Sequence, residues 1–159
     1  MYEGFSHIDE SGDAQMVDVG QKDVTDRIAV ASCRVTMLQE TLQKIRDGGF
    51  EKGDVLGVAK VAGVMAAKST AKLIPLCHQI PLTHVDISIE ESNEDFGLDI
   101  KASVRAFWKT GVEMEALTAV TIASLTVYDM CKSLDKSMKI ESVRLIQKSG
   151  GKGGDFLSP

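Results

Sequence analysis

Asp129 and Lys132 stand three residues apart, a spacing that puts two side chains on one face of a helix, where each can tune the other's proton affinity. An exposed structural ion pair is the competing reading, because such pairs are common on helices. The apolar sequence leading up to Asp129 favours chemistry. Glu115 sits among Met114, Ala116 and Leu117, where an unpaired carboxylate is costly to bury, so it needs a partner, a water or a ligand. Two residues earlier, Thr110-Gly111-Val112-Glu113 has the T-x-x-E form of a capping box, which gives Glu113 a structural role at a helix start.

His78 closes the run Pro75-Leu76-Cys77-His78, and a loop at a helix exit often displays side chains for binding. A lone histidine more often has only a structural hydrogen bond, and Cys77 reads as a packing residue rather than a nucleophile. No HxxxH or HExxH spacing is present, so no metal site is expected. Lys52, Lys68, Lys72, Lys109, Lys132, Lys148 and Lys152 adjoin these segments although the chain carries a net charge of -5. Together they could hold phosphate groups. The segment Ser149-Gly150-Gly151-Lys152-Gly153-Gly154 offers main-chain amides for an anion. It is not a P-loop: the first glycine of that motif would fall at Ile146, and no serine or threonine follows Lys152.

Composition narrows the class. The 159 residues are 43% hydrophobic and 26% charged, which suits one soluble domain spanning residues 1–159. The acidic balance argues against general nucleic-acid binding. The apolar stretch from Ala116 to Met130 is too short and too interrupted for a membrane span. The acidic start is unlike a secretory signal, so a cytoplasmic protein is expected. Cys33, Cys77 and Cys131 are an odd number without a CxxC pair, against a disulfide framework or structural zinc.

The elements that would position these residues follow from periodicity. Residues 1–26 read as an irregular arm with a short strand near 16–19, and residues 149–159 as a glycine-rich mobile tail. Alternation predicts strands over residues 28–37, 82–91, 97–107 and 138–148, with the second and third forming a hairpin. Helical spacing predicts a short helix over residues 38–47, stopped by Gly48-Gly49, and long helices over 55–74 and 110–132. That order favours an α+β fold, ferredoxin-like, with an antiparallel sheet and long helices packed on one face.

The second long helix sets a geometric constraint. Glu115 and Asp129 are fourteen residues apart, or roughly 21 Å at a rise of ~1.5 Å per residue. One helix cannot present both to a small substrate, whereas two antiparallel copies about a two-fold axis can. A site shared between subunits is the expectation.

Several longer motifs occur together: Met16-Val17-Asp18-Val19, Lys52-Gly53-Asp54-Val55, Ala62-Gly63 with Ala66-Ala67-Lys68, Ile74-Pro75-Leu76-Cys77-His78, the run from Thr110 to Ala119, Tyr128-Asp129-Met130-Cys131-Lys132, and Lys148-Ser149-Gly150-Gly151-Lys152. In this order the chain resembles the family of cyclic pyranopterin monophosphate synthases, from near Ser6 to Phe156. The resemblance implies a ferredoxin-like subunit in a homohexamer, a trimer of dimers with sites between subunits. It implies a lyase of molybdenum cofactor biosynthesis that turns a cyclised dihydro-GTP into cyclic pyranopterin monophosphate and pyrophosphate, with no redox cofactor. It further implies acid/base work at Asp129 with Lys132 and Lys52 as partners. Leu76, Cys77, His78, Met114 and Glu115 would line the substrate pocket, and Lys148 and the glycine-rich tail would face phosphates. Glu113, Lys68 and Lys152 complete the expected substrate-binding set. The family commonly has glycine at the position of Trp108 and proline at that of Gln79. A non-catalytic nucleotide-binding subunit, or another nucleotide lyase or hydrolase on this scaffold, are the competing functions.

Overall fold

Small apolar residues on alternate positions of one strand allow helices to lie close against a sheet, and the centre of the molecule is built this way. The computed structural model describes residue 8 and residues 11–159. In strand β1 (Thr25–Thr36), Ala29, Ala31, Cys33 and Val35 are buried beneath the helices. It is followed by α1 (Gln39–Arg46), α2 (Val55–Lys68) and α3 (Thr70–Leu73), the hairpin β2 (Leu82–Glu91) and β3 (Gly97–Trp108), then α4 (Glu113–Cys131), β4 (Lys139–Ser149) and β5 (Phe156–Leu157). The sheet order is β2-β3-β1-β4-β5 with every neighbouring pair antiparallel. The first four strands, each half split by the insertion of another strand, give the expected ferredoxin-like α+β arrangement.

Helices α2 and α4 run antiparallel on the sheet. Gly63 sits where they meet: a Cβ there would stand 3.2 Å from both the Ala119 carbonyl and Ile87 Cδ1. The two helices also bury Ala59, Ala66 and Ala67 on α2 and Ala116, Ala119 and Ala123 on α4, small residues that let the backbones approach closely and tolerate little added volume. The opposite side of α2 leaves Val58, Val61 and Met65 exposed, the last at 63%, an apolar stripe at helical spacing.

Three boundaries differ from expectation. The helix expected over residues 55–74 is interrupted at Ser69 and resumes as the short α3, and the buried Thr70 hydroxyl donates back across the break to the Ala66 and Ala67 carbonyls. The strand expected at residues 16–19 is absent; that stretch is held by side-chain bonds rather than by a ladder, and the bridge nearby joins Ile8 to Ala14. Residues 1–7 and 9–10 of the expected arm lie outside the described residues. Finally, α4 starts at Glu113 rather than Thr110, with Val112 at its N-cap and no side-chain cap. The capping box therefore does not form: Glu113 accepts instead from Lys148 Nζ at 3.0 Å.

A buried carboxylate ties the start of α1 to the turn before β4. Asp135 Oδ2 accepts from Leu38 N at 2.8 Å and the Thr41 hydroxyl at 3.3 Å, and Oδ1 accepts from Ser137 N at 2.8 Å and its hydroxyl at 2.6 Å.

Candidate active site

The loop before α2 and the last turn of α4 meet because the two helices are antiparallel. There Lys132 Nζ donates to Asp129 Oδ1 at 2.6 Å, and Lys52 Nζ donates to the Asp129 carbonyl at 2.8 Å and to Oδ2 at 3.4 Å. Lys132 first and Lys52 second hold the Asp129 carboxyl below its usual range, and Asp129 in turn raises Lys132. All three side chains are about half exposed, so solvent screens the attraction and the cluster contributes little to stability. Its exposed charges are accessible to a substrate.

The other end of α4 carries a different environment. Glu115 is 4% exposed, and this burial pushes its carboxyl up to about 7, with the neighbouring charge of Glu113 acting in the same direction. Burial, and after it the charge of Glu115, raises the Cys77 thiol and makes it a poor nucleophile at neutral pH. Leu76 and His78 belong to the same half-buried loop, and His78 Nε2 lies 2.7 Å from the Val17 carbonyl. The histidine thus fastens residue 17 over this end of the molecule. Met114 is partly exposed on the first turn of α4, and Lys68 is exposed at the end of α2.

Beside this end opens a cavity of about 490 Å³, walled by Lys22, Arg27, Lys109, Glu113, Lys148 and the glycine turn from Gly150 to Gly153, which carries Lys152. Cations and main-chain amides of this kind suit a polyphosphate. The buried Thr25 hydroxyl, on the same wall, has no hydrogen-bond partner among the described residues. Of the residues singled out from sequence, Lys109, Glu113, Lys148 and Lys152 line this cavity, whereas Lys72, Leu76, Cys77, His78, Met114, Glu115 and Lys68 do not. Lys52, Asp129 and Lys132 form their own cluster at the far end of α4. One chain therefore separates the acid/base cluster from the basic cavity.

Arg27 and Lys22 escaped the sequence reading. A signal for Arg27 was present: it occupies the same alternating side of β1 as Ala29, Ala31 and Cys33, and an arginine at an inward position of such a strand needs a polar destination. Lys22, in an irregular stretch, had no comparable signal. Among the described residues no group of three or more His, Cys, Asp or Glu side chains could hold a metal ion, and no helix is long and apolar enough to cross a membrane.

Comparison with known proteins decides the family. The sequence model of the MoaC family matches residues 16–151. The chain belongs to the MoaC family. A cyclic pyranopterin monophosphate synthase of Chloroflexus aurantiacus (strain ATCC 29366 / DSM 635 / J-10-fl) is 56% identical over 154 residues, covering 97% of this chain and 94% of the relative. Proteins of the same name from Clostridium acetobutylicum and Nostoc sp. (strain PCC 7120) are 51% and 55% identical, covering 98% and 97% of this chain and 97% and 92% of their own lengths. The MoaC match spans both the Lys52, Asp129 and Lys132 cluster and the lysines of the basic cavity up to Lys148.

Proposed function

We propose that this chain is a cyclic pyranopterin monophosphate synthase, a lyase of molybdenum cofactor biosynthesis. Its substrate is a cyclised dihydroguanosine triphosphate, and pyrophosphate is released. The observation that carries this reading is the placement of Asp129 between two lysines in a MoaC-family chain. The pair enters the reaction as carboxylate and ammonium, so that lysine can give a proton and Asp129 can take one back as the purine-derived ring opens and recloses.

The basic cavity receives the triphosphate. Closing the cyclic phosphate requires a sugar hydroxyl oxygen to bond to the phosphorus nearest the sugar while the bond from that phosphorus to pyrophosphate breaks. The hydroxyl proton passes to a base, and nearby ammonium groups offset charge on the departing pyrophosphate. Glu113, Lys148 and Lys152 border that cavity, and Glu115, with a carboxyl near neutrality, is suited to proton exchange beside it. Leu76, Cys77, His78, Met114 and Lys68 would shape the approach from the adjoining loop and helix ends. No redox cofactor is called for.

Both clusters must reach one substrate, and α4 keeps Asp129 roughly 24 Å from Glu113 on the cavity wall by its rise per residue. We therefore assign the complete site to two subunits, the end of one α4 lying against the start of its partner's. The exposed stripe of Val58, Val61 and Met65 on α2 supports association, within a homohexamer built as a trimer of dimers. A substrate derived from GTP is compatible with a reaction in the cytoplasm. The test is to supply the cyclised dihydro-GTP to the purified protein and measure the pterin and pyrophosphate by mass spectrometry. Folded protein that yields neither would sink the assignment.

A further inference from the structure

Each of the three nitrogens of the Arg27 guanidinium meets a main-chain carbonyl: Nε that of Trp108 at 3.2 Å, Nη2 that of Lys109 at 3.2 Å, and Nη1 that of Gly150 at 3.1 Å. These carbonyls belong to two segments distant in sequence, the exit of β3 towards α4 and the glycine turn after β4, and both wall the basic cavity. The turn lies directly over the guanidinium. Gly150 and Gly151 have φ of +93° and +79°, and a Cβ on Gly151 would stand 1.6 Å from Arg27 Nη1. Glycine is needed there both for the backbone angle and for the approach.

We propose that Arg27 is a positioning residue for the substrate phosphates: it fixes the separation of the two loops so that Lys109, Lys148 and the glycine-turn amides converge on one polyphosphate. The guanidinium holds the walls of the cavity rather than the phosphate. A planar fork with fixed donor directions can bridge three carbonyls on two loops; the single ammonium of a lysine cannot. Because the loops bring their charges and amides to the cavity through the main chain, a small change in their spacing misplaces several phosphate contacts at once.

This inference rests on the phosphate reading of the cavity, and the experiment separates the two. Arg27→Lys keeps the charge and removes the fork. It should weaken binding of inorganic tripolyphosphate, measured by calorimetry on the full chain, by about tenfold, with the melting temperature close to that of the unaltered protein. In turnover of the cyclised dihydro-GTP, KM should rise more than kcat falls. Amide hydrogen exchange should accelerate together in residues 109–111 and 150–154. Tripolyphosphate affinity and exchange both unchanged in Arg27→Lys would overturn the proposal. Affinity retained in Arg27→Lys but lost in Arg27→Gln would overturn it in favour of direct charge contact. If the unaltered protein fails to bind tripolyphosphate, the phosphate reading itself falls, while the exchange measurement still reports whether Arg27 couples the two loops.

Discussion

Lys132 Nζ stands 2.6 Å from Asp129 Oδ1, one turn further along the chain, while Lys52 reaches the same residue from the loop before α2. Two cations on one exposed carboxylate keep it ionised well into the acid range, and the carboxylate keeps Lys132 protonated. The cluster is therefore a charged pair with a second lysine at neutral pH. Asp129→Asn preserves shape and removes both the charge and the proton acceptor. Turnover should fall by about 100-fold or more, the usual worth of a positioned acid or base. The melting temperature should stay within a few degrees, because an exposed pair adds little to stability. Steady-state product formation and thermal melting on the same preparation check this, and near-normal turnover would remove Asp129 from the mechanism.

Glu115 predicts a pH dependence of the opposite kind. Its folded carboxyl lies near 7 against an unfolded value of 4.5, so between these values the folded state binds more protons than the unfolded one. Stability should therefore fall as pH rises from about 4.5 through 7, by at most about 3 kcal/mol for a shift of this size. Glu115→Gln, which cannot ionise, should flatten that part of the profile and be relatively more stable at pH 8 than at pH 5. Urea unfolding at several pH values measures it. An equal slope in both proteins would show that Glu115 is not buried in its charged form.

Asp135 behaves in the other sense. Four hydrogen bonds from Leu38, Thr41 and Ser137 outweigh the burial that opposes its charge, and its carboxyl lies below the usual range. A depressed folded value contributes stability above the unfolded value, which is lost as pH falls through the folded one. Asp135→Ala removes the acceptor of the buried Thr41 hydroxyl and of the half-buried bonds from Leu38 and Ser137 and should cost about 2 kcal/mol near neutrality, with a smaller difference from the unaltered protein at pH 3. Denaturant titrations at pH 7 and pH 3 decide it; a constant difference would mean the loss is one of packing alone.

The periodicity of the chain made most of the fold readable. Val85, Ile87 and Ile89 alternate within a strand whose limits, Leu82–Glu91, are those expected, and the small residues from Ala29 to Val35 gave the buried side of β1. The helix boundaries were harder, because they depend on individual side chains. The interruption at Ser69 carries no periodic signature, and Glu113 abandons its cap for Lys148, a partner on a different element. The charged cluster was readable because Asp129 and Lys132 lie on one helix, although Lys52 could be joined to them only by family resemblance. The inward place of Arg27 on β1 was readable from the alternation, but its role was not, since that arises from three carbonyls 81, 82 and 123 residues away.

The separation of the two clusters along α4 leads to the sharpest test of a shared site. Asp129→Asn removes a group at the end of the helix, and Lys148→Ala removes a cation from the basic cavity at its start. If each site takes one cluster from either subunit, each variant alone is impaired at every site. A mixed dimer, however, holds one site in which both clusters are intact and one in which both are altered. Random mixing of equal amounts puts half the dimers in the mixed form, so refolding the two variants together should restore about a quarter of normal turnover. Refolding each variant with itself should restore none. Assay of the co-refolded material, with mixed oligomers isolated by a tag on one variant, makes the comparison direct. Absence of recovery in confirmed mixed oligomers would mean that each site draws both clusters from one chain, and the two-subunit assignment would fail.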